Sequence, residues 1–233
     1  MDYLKMTEQL RFDIVTAFPE MFYSVINSSI LKRAQEKGIV KIITHNLHDF
    51  ANNKFKHIDD KPFGGGAGML IKCQPVFDCI EKLKAERNYD EIIYVTADGE
   101  LLNQTICNDL SLKRNIIILT GHYKGIDQRI RDKLITREIS IGDYVLTGGE
   151  LPAMILIDSI SRLIPGVLGD PSAALEDSFM YGLLEPPQYT RPANFRGLKV
   201  PDVLTSGNFK EIEKWKLEKA LEKTKLRRPE LLK

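Results

Sequence analysis

The chain has 233 residues, of which 43% are hydrophobic and 28% charged, with a formal net charge of +1. That is an ordinary globular composition, long enough for one large domain or one domain with a small appendix. No run approaches the ~20 apolar residues of a membrane span, and the N-terminus shows neither an apolar signal core nor a small-residue cleavage site. The three cysteines form no CxxC pair, which argues against a disulfide framework or a cysteine zinc site and for a reducing cytoplasm.

In chain order, "FDIVTAF" (12–18) reads as a buried strand ending at Pro19, and "EMFYSVINSSILKRAQEKG" as one helix closed by Gly38. "IVKIITHNL" is a second strand, and polar, glycine-rich residues 49–68 are a long loop. "QPVFDCIEKLKAER" is helical, and "EIIYVTA" (91–97), "NIIILTG" (115–121) and "REISIG" (137–142) are short apolar strands with helices between them. The alternation predicts an α/β domain with a mostly parallel sheet. "ELPAMILIDSISRLI" (150–164) is a helix with Pro152 in its first turn, where a missing N–H is tolerated. Residues 165–188 have glycine and proline at both ends and no period, and read as a linker. Beyond it lies a short helical domain whose main helix starts near Asn208, with Glu211 three residues on as in a capping box.

The near-neutral total hides an asymmetry. Residues 1–186 carry a net −5 and residues 187–233 a net +6. A basic tail of this kind either meets a polyanion or is a solvated helix of interleaved charges.

"DDKPFGGGAGMLIKCQP" (59–75) raises the question of a phosphate loop. The P-loop pattern fails because Met69 and Leu70 follow Gly68, and GxGxxG fails from Gly64 and from Gly66. The glycines still permit close approach of a ligand or another chain, or a tight turn into the next helix. Three further glycine-punctuated loops, "YVTADGE", "TGHYKGID" and "SIGDYVLTGGELP", follow strands, where open α/β sheets bind ligands. No nucleophile elbow accompanies them, and His45 and His48 lack a third metal ligand. A pocket built this way binds a small organic ligand that brings its own reactivity.

"SIGDYVLTGGELPAM", "YKGIDQR", "DDKPFGGGAGM", "IPGVLG", "EDSF" and "YTRP" occur in the order found in bacterial tRNA (guanine-N1)-methyltransferases, and over about residues 12–230 the chain resembles that family. The resemblance implies a SPOUT-class α/β domain knotted as a trefoil, rare among folds, over residues 1–165. It implies a linker at 166–187 carrying the base and a helical tRNA-binding domain at 188–233. It further implies a cytoplasmic homodimer that uses S-adenosylmethionine to make 1-methylguanosine just 3′ of the anticodon. The cofactor residues it implies are Tyr94, Val95 and Thr96; Gly121 and Tyr123; and Ser140, Ile141, Gly142, Asp143, Tyr144, Val145, Leu146, Gly148 and Pro152. Asp143 has an equally good explanation as a turn former.

The resemblance assigns Asp177 as general base, Arg162 as its electrostatic partner and Asp59 as a contact to the target guanine. N1 of guanine is protonated and becomes nucleophilic only when that proton leaves, which calls for a carboxylate. The charge that then spreads to O6 calls for a guanidinium. The chain departs from the family at Lys124, where glutamate is common, at Ala97 for proline and at His122 for arginine. The first departure leaves open whether Mg2+ is needed. Neighbouring readings are another knotted RNA methyltransferase, acting on a ribose 2′-hydroxyl or another base, and a non-catalytic RNA-binding protein.

Overall fold

The computed structural model describes residues 9–170 and 177–232. The chain divides into two compact units, Met1–Gly169 and Asp170–Lys233.

In the first unit the elements are β1 (Leu10–Thr16), α1 (Tyr23–Ile26), α2 (Ser29–Glu36), β2 (Val40–Asn46), β3 (Asp59–Asp60), β4 (Leu70–Ile71), α3 (Cys73–Glu86), β5 (Glu91–Leu101), α4 (Gln104–Ser111), β6 (Asn115–Thr120), α5 (Gln128–Leu134), β7 (Arg137–Ser140) and α6 (Glu150–Ser161). Five strands form one sheet in the order β2-β1-β6-β5-β7, and every pairing in it is parallel. Both faces are covered, so the strands read as apolar runs rather than alternations. Phe12, Ile14, Ile93, Val95, Ile116 and Ile118 pack on one side with residues of α2, α4 and α6. Val15, Ile92, Tyr94, Ile117 and Leu119 pack on the other with residues of α3 and α5. The mostly parallel α/β sheet expected from the sequence is observed.

Two local expectations are corrected. The helix expected over 20–38 is broken at Asn27–Ser28. Asn27 Nδ2 donates to Tyr23 O (2.9 Å) and Ser28 Oγ to Ser24 O (2.5 Å), side-chain bonds that compete with a continuing helix. Strand β5 runs on to Leu101 instead of ending at Ala97. Its pairing with β7 jumps register between Val95 and Glu100, so residues 96–99 bulge out of a strand that then resumes. Gly99 permits this, because a Cβ there would lie 2.6 Å from Ile139 N.

In the second unit, β8 (Asn194–Phe195) and β9 (Leu198–Lys199) form a hairpin, followed by α7 (Asp202–Thr205) and α8 (Phe209–Arg227). Asn208 caps α8 as expected, its side chain accepting from the Glu211 N–H at 3.4 Å. The Asn208 N–H goes to Ser206 Oγ (3.1 Å). Segment 177–188 packs on α8: Leu184 N–H donates to buried Thr224 Oγ1 (2.8 Å), and Lys223 Nζ donates to Glu185 O (2.9 Å).

One polar cluster sits inside the sheet. Asp13 is fully buried at the centre of β1. It accepts from Arg11 Nε and Nη2 at 2.6 and 2.8 Å and from Tyr89 Oη at 2.7 Å, and His45 Nε2 lies 2.7 Å from Oδ1. Burial pushes the carboxyl up, but hydrogen bonds from His45, Arg11 and Tyr89 and the Arg11 charge outweigh it and hold it well below the usual carboxylate range. A carboxyl depressed in the folded state stabilises the fold above its unfolded value near 4, and that contribution fades as pH falls below it. Asp13→Asn leaves the nearly buried Arg11 without its counter-charge and should cost ~3–5 kcal/mol at pH 7. It should also flatten the loss of stability below about pH 4. Urea denaturation from pH 3 to 7 checks both; a variant within about 1 kcal/mol of the parent, with the same acid slope, would exclude this role for the cluster.

Candidate active site

Three segments, the bulge of β5 and the loops after β6 and β7, meet at the carboxyl ends of β6 and β7 and enclose a cleft, the place where a parallel sheet offers its ligand crevice. The stretch of β5 that leads into its bulge supplies Tyr94, Val95, Thr96 and Ala97, and the loop after β6 supplies Gly121 to Gly125. The loop from β7 into α6 supplies Ser140, Ile141, Gly142 and Tyr144 to Gly149, with Pro152 beyond it and Ile139 at its root.

Each wall has a visible cause. The 96–99 bulge is pinned from behind by Arg131. Its Nε donates to Glu138 Oε1 (2.7 Å) and its Nη2 to Glu138 Oε2 (2.5 Å) and Asp98 Oδ2 (2.8 Å). Its guanidinium also lies 5.6 Å from the Tyr94 ring centroid. The Thr96 hydroxyl, at 2.6 Å, and Arg131 together hold the Asp98 carboxyl below its ordinary range. The second and third loops join backbone to backbone: Gly149 N–H donates to Gly121 O at 2.7 Å, and His122 bridges Gly148 in antiparallel fashion. A Cβ on Gly149 would sit 2.9 Å from Gly121 N and 3.0 Å from Thr120 Cα, so only glycine fits.

Between those anchors the third loop is open. Tyr144, Val145 and Leu146 are 54, 87 and 39% exposed despite their apolar surfaces. Ser140 Oγ and Gly142 exchange hydrogen bonds at 3.1 and 3.2 Å, which set the turn. Asp143 is exposed and is not among the lining residues.

The glycine-rich loop at 64–68 turns through positive φ at Gly64, Gly65, Gly66 and Gly68. Its far end is strapped to the second loop by Lys124 N–H to Met69 O and Ile71 N–H to Gly125 O, both 3.0 Å. Gly68 makes room for the Lys124 stem, since a Cβ would meet Lys124 Cγ at 2.8 Å. Asp59, half-buried in β3, lies at the other end of this excursion. Burial and then the Asp59 charge push the Tyr123 phenol up, which places Asp59 in electrostatic reach of the cleft wall.

Of the residues named from sequence, those for the cofactor are thus brought together in the cleft except Asp143, which is exposed beside it; Asp59 and the two catalytic candidates are not among the residues that line it. Arg162 is the C-cap of α6 in the first unit. Asp177 belongs to the second unit, half-buried in a groove with Tyr181, Leu183, Leu184 and residues of α8. The cofactor residues named from sequence do not include Ala97, His122 and Lys124, noted only as departures from the family, nor Gly125, Ile139, Thr147 and Gly149, all of which line the cleft. Most adjoin residues that were named, so the quoted loops already contained them. His45, considered as a metal ligand, is instead committed to Asp13.

A family model described as tRNA (Guanine-1)-methyltransferase TrmD matches residues 10–233. A protein of Flavobacterium psychrophilum, tRNA (guanine-N(1)-)-methyltransferase, is 60% identical over 223 residues, covering 96% of this chain and 99% of its own. Proteins of the same name from Chlorobium chlorochromatii and Bacteroides thetaiotaomicron are 57% and 56% identical over 96% of this chain, with 96% and 99% of their own lengths covered. With the family match running through every loop of the cleft and both catalytic candidates, the chain belongs to the tRNA (guanine-1)-methyltransferase family.

Proposed function

We propose that this protein transfers a methyl group from S-adenosylmethionine to N1 of the guanosine just 3′ of the anticodon in tRNA, giving 1-methylguanosine. The observation that carries the reading is the family match over nearly the whole chain, coinciding with a cleft of the right make-up. Glycine-rich backbone approaches closely from two sides, and the open apolar faces of Tyr144, Val145 and Leu146 suit an adenine ring. The bound cofactor supplies the electrophilic methyl group.

The chain's own residues then have separable tasks. Asp177 takes the N1 proton, Arg162 stabilises the charge that moves to O6, and the loops align the reacting centres. Asp59 contacts the target base. Residues 1–165 form the trefoil-knotted cofactor domain, 166–187 connect it to the tRNA-binding residues 188–233, and the active form is a cytoplasmic homodimer. Magnesium finds no support in the cleft. Lys124 offers an ammonium, which only donates, and among the described residues no group of three His, Cys, Asp or Glu side chains could hold a metal.

Incubation with labelled S-adenosylmethionine and unmodified tRNA, followed by nucleoside analysis, should yield 1-methylguanosine. Recovery of 2′-O-methyl nucleosides alone would overturn the reading.

Asp177→Asn should leave cofactor and tRNA affinity nearly intact and slow single-turnover methyl transfer by roughly 10²–10⁴-fold. The rate should recover as pH rises, because spontaneous ionisation of N1 then replaces the carboxylate. Transfer within about twofold of the parent at every pH would move proton removal to another group.

The basic surplus of α8 gives a further test. Lys210, Lys214, Lys225 and Arg227 are exposed. Replacing all four with glutamine should weaken tRNA binding and shallow its dependence on salt by roughly one unit of log–log slope for each phosphate no longer neutralised. S-adenosylmethionine affinity should not move. Filter binding across a salt series is the measurement, and an unchanged slope would remove α8 from the tRNA interface.

A further inference from the structure

Behind the cleft sits a carboxylate that the proposed reaction does not use. Glu150, the first residue of α6, is 1% exposed. Thr16 Oγ1, at the end of β1, and Thr120 Oγ1, at the end of β6, lie 2.9 and 3.0 Å from its Oε1 as donors. Its Oε2 is 3.8 Å from His122 Nδ1. That nitrogen is buried and has no hydrogen-bond partner among the described residues, while His122 itself lines the cleft. The ring is held by Phe18, tilted with centroids 4.6 Å apart, and by Tyr123, edge-on at 5.0 Å. The gap between the two groups is kept by Gly148, where a Cβ would fall 2.3 Å from Glu150 Oε2 and 2.6 Å from His122 Nδ1.

We propose that Glu150 is a positioning residue that fixes His122 as its Nδ1–H tautomer, so that Nε2 presents a lone pair to the cleft and accepts a hydrogen bond from an O–H or N–H group of the bound cofactor. The chemistry of the two partners leaves one arrangement. An ionised carboxylate only accepts, so the ring nitrogen facing it carries the proton. In a neutral imidazole the other nitrogen is then an acceptor. The separation is less than about 1 Å beyond hydrogen-bond range, and the space at Gly148 is where the ring and carboxylate can close on each other. Thr16 and Thr120 commit Oε1, which leaves Oε2 for His122. This rests on the reading of the cleft as the S-adenosylmethionine site, and that ligand carries ribose hydroxyls, an adenine amine and an ammonium as donors.

The test begins with the intact free protein labelled with ¹⁵N-histidine at pH 8, where imidazole in water is neutral. Long-range ¹H–¹⁵N correlation should show His122 protonated at Nδ1 and bare at Nε2, the signal being identified by its absence in His122→Phe. The phenylalanine keeps the ring contacts with Phe18 and Tyr123 but has no acceptor. Its Kd for S-adenosylmethionine, measured by calorimetry, should rise about 3- to 10-fold, the loss of one hydrogen bond, with tRNA affinity unmoved. Glu150→Gln keeps its carbonyl oxygen towards the two threonines and turns an N–H towards His122. That should shift the ring proton to Nε2 and weaken cofactor binding by a similar factor. An Nε2–H tautomer in the parent overturns the proposal, as does parent-like cofactor affinity in His122→Phe. Failure of the parent to bind S-adenosylmethionine would sink the assignment of the cleft instead, while the tautomer of the free protein still decides whether Glu150 positions the ring.

Discussion

The cleft depends on a contact between two backbones. Gly149 N–H meets Gly121 O at 2.7 Å, and the approach is so close that any side chain on Gly149 would strike the main chain at Thr120 and Gly121. The same contact starts α6. That helix buries Pro152, Ala153, Met154, Leu156, Ile157 and Ile160, which ties the third loop to the core at its C-terminal end. At the other end β7 ties it to the sheet. A segment fastened at both ends and free in the middle exposes Tyr144, Val145 and Leu146 without letting them collapse inward. Apolar side chains held open in this way lower the ordering a ligand has to impose on binding.

The opposite wall is built by charge. Arg131 gathers Glu138 from β7 and Asp98 from the bulge, and covers the Tyr94 ring. Its planar fork serves both carboxylates, which a lysine could not do. Asp13 does comparable work inside the sheet by gathering Arg11, His45 and Tyr89. The two clusters differ in burial. Asp13 is sealed from solvent and Asp98 is largely exposed, so salt should screen the second far more than the first.

What the sequence made legible follows from the range of the interactions involved. Strands β1, β5 and β6 are runs of apolar residues because both sheet faces are covered, and such runs are visible locally. The stop of α2 at Gly38, with φ of +70°, is likewise a one-residue signal. The break at Asn27–Ser28 was missed because helix periodicity carries through it while two short polar side chains bond back to the main chain. The β5 bulge was missed in part: "TADG" reads as a loop, but its return to the same strand depends on β7, which lies about forty residues on. Nothing near Asp13 announces its burial, since His45 and Tyr89 reach it from elsewhere in the chain. In the site, the loop motifs marked the cleft well, because a site made of backbone is written in glycines. Glu150 went unremarked inside "TGGELP", where it reads as an acidic residue in the first turn of a helix, an ordinary place for one.

The tail shows why a net charge is a weaker guide than its distribution. Of the basic side chains over residues 187–233, some are paired within α8 itself, Lys216 with Glu213 and Lys219 with Glu222. What remains outward is concentrated at the two ends of the helix, at Lys210 and Lys214 and at Lys225 and Arg227. At each end a large apolar side chain is also open: Phe209 at 81% and Leu226 at 83% exposed. A solvated helix of interleaved charges has no need of exposed apolar residues at its ends. A surface that grips folded RNA uses both kinds of group, cations for the phosphates and flat or apolar faces for bases and sugars. The pairing of the two at both ends of α8 therefore favours the polyanion over solvent as the partner of this unit.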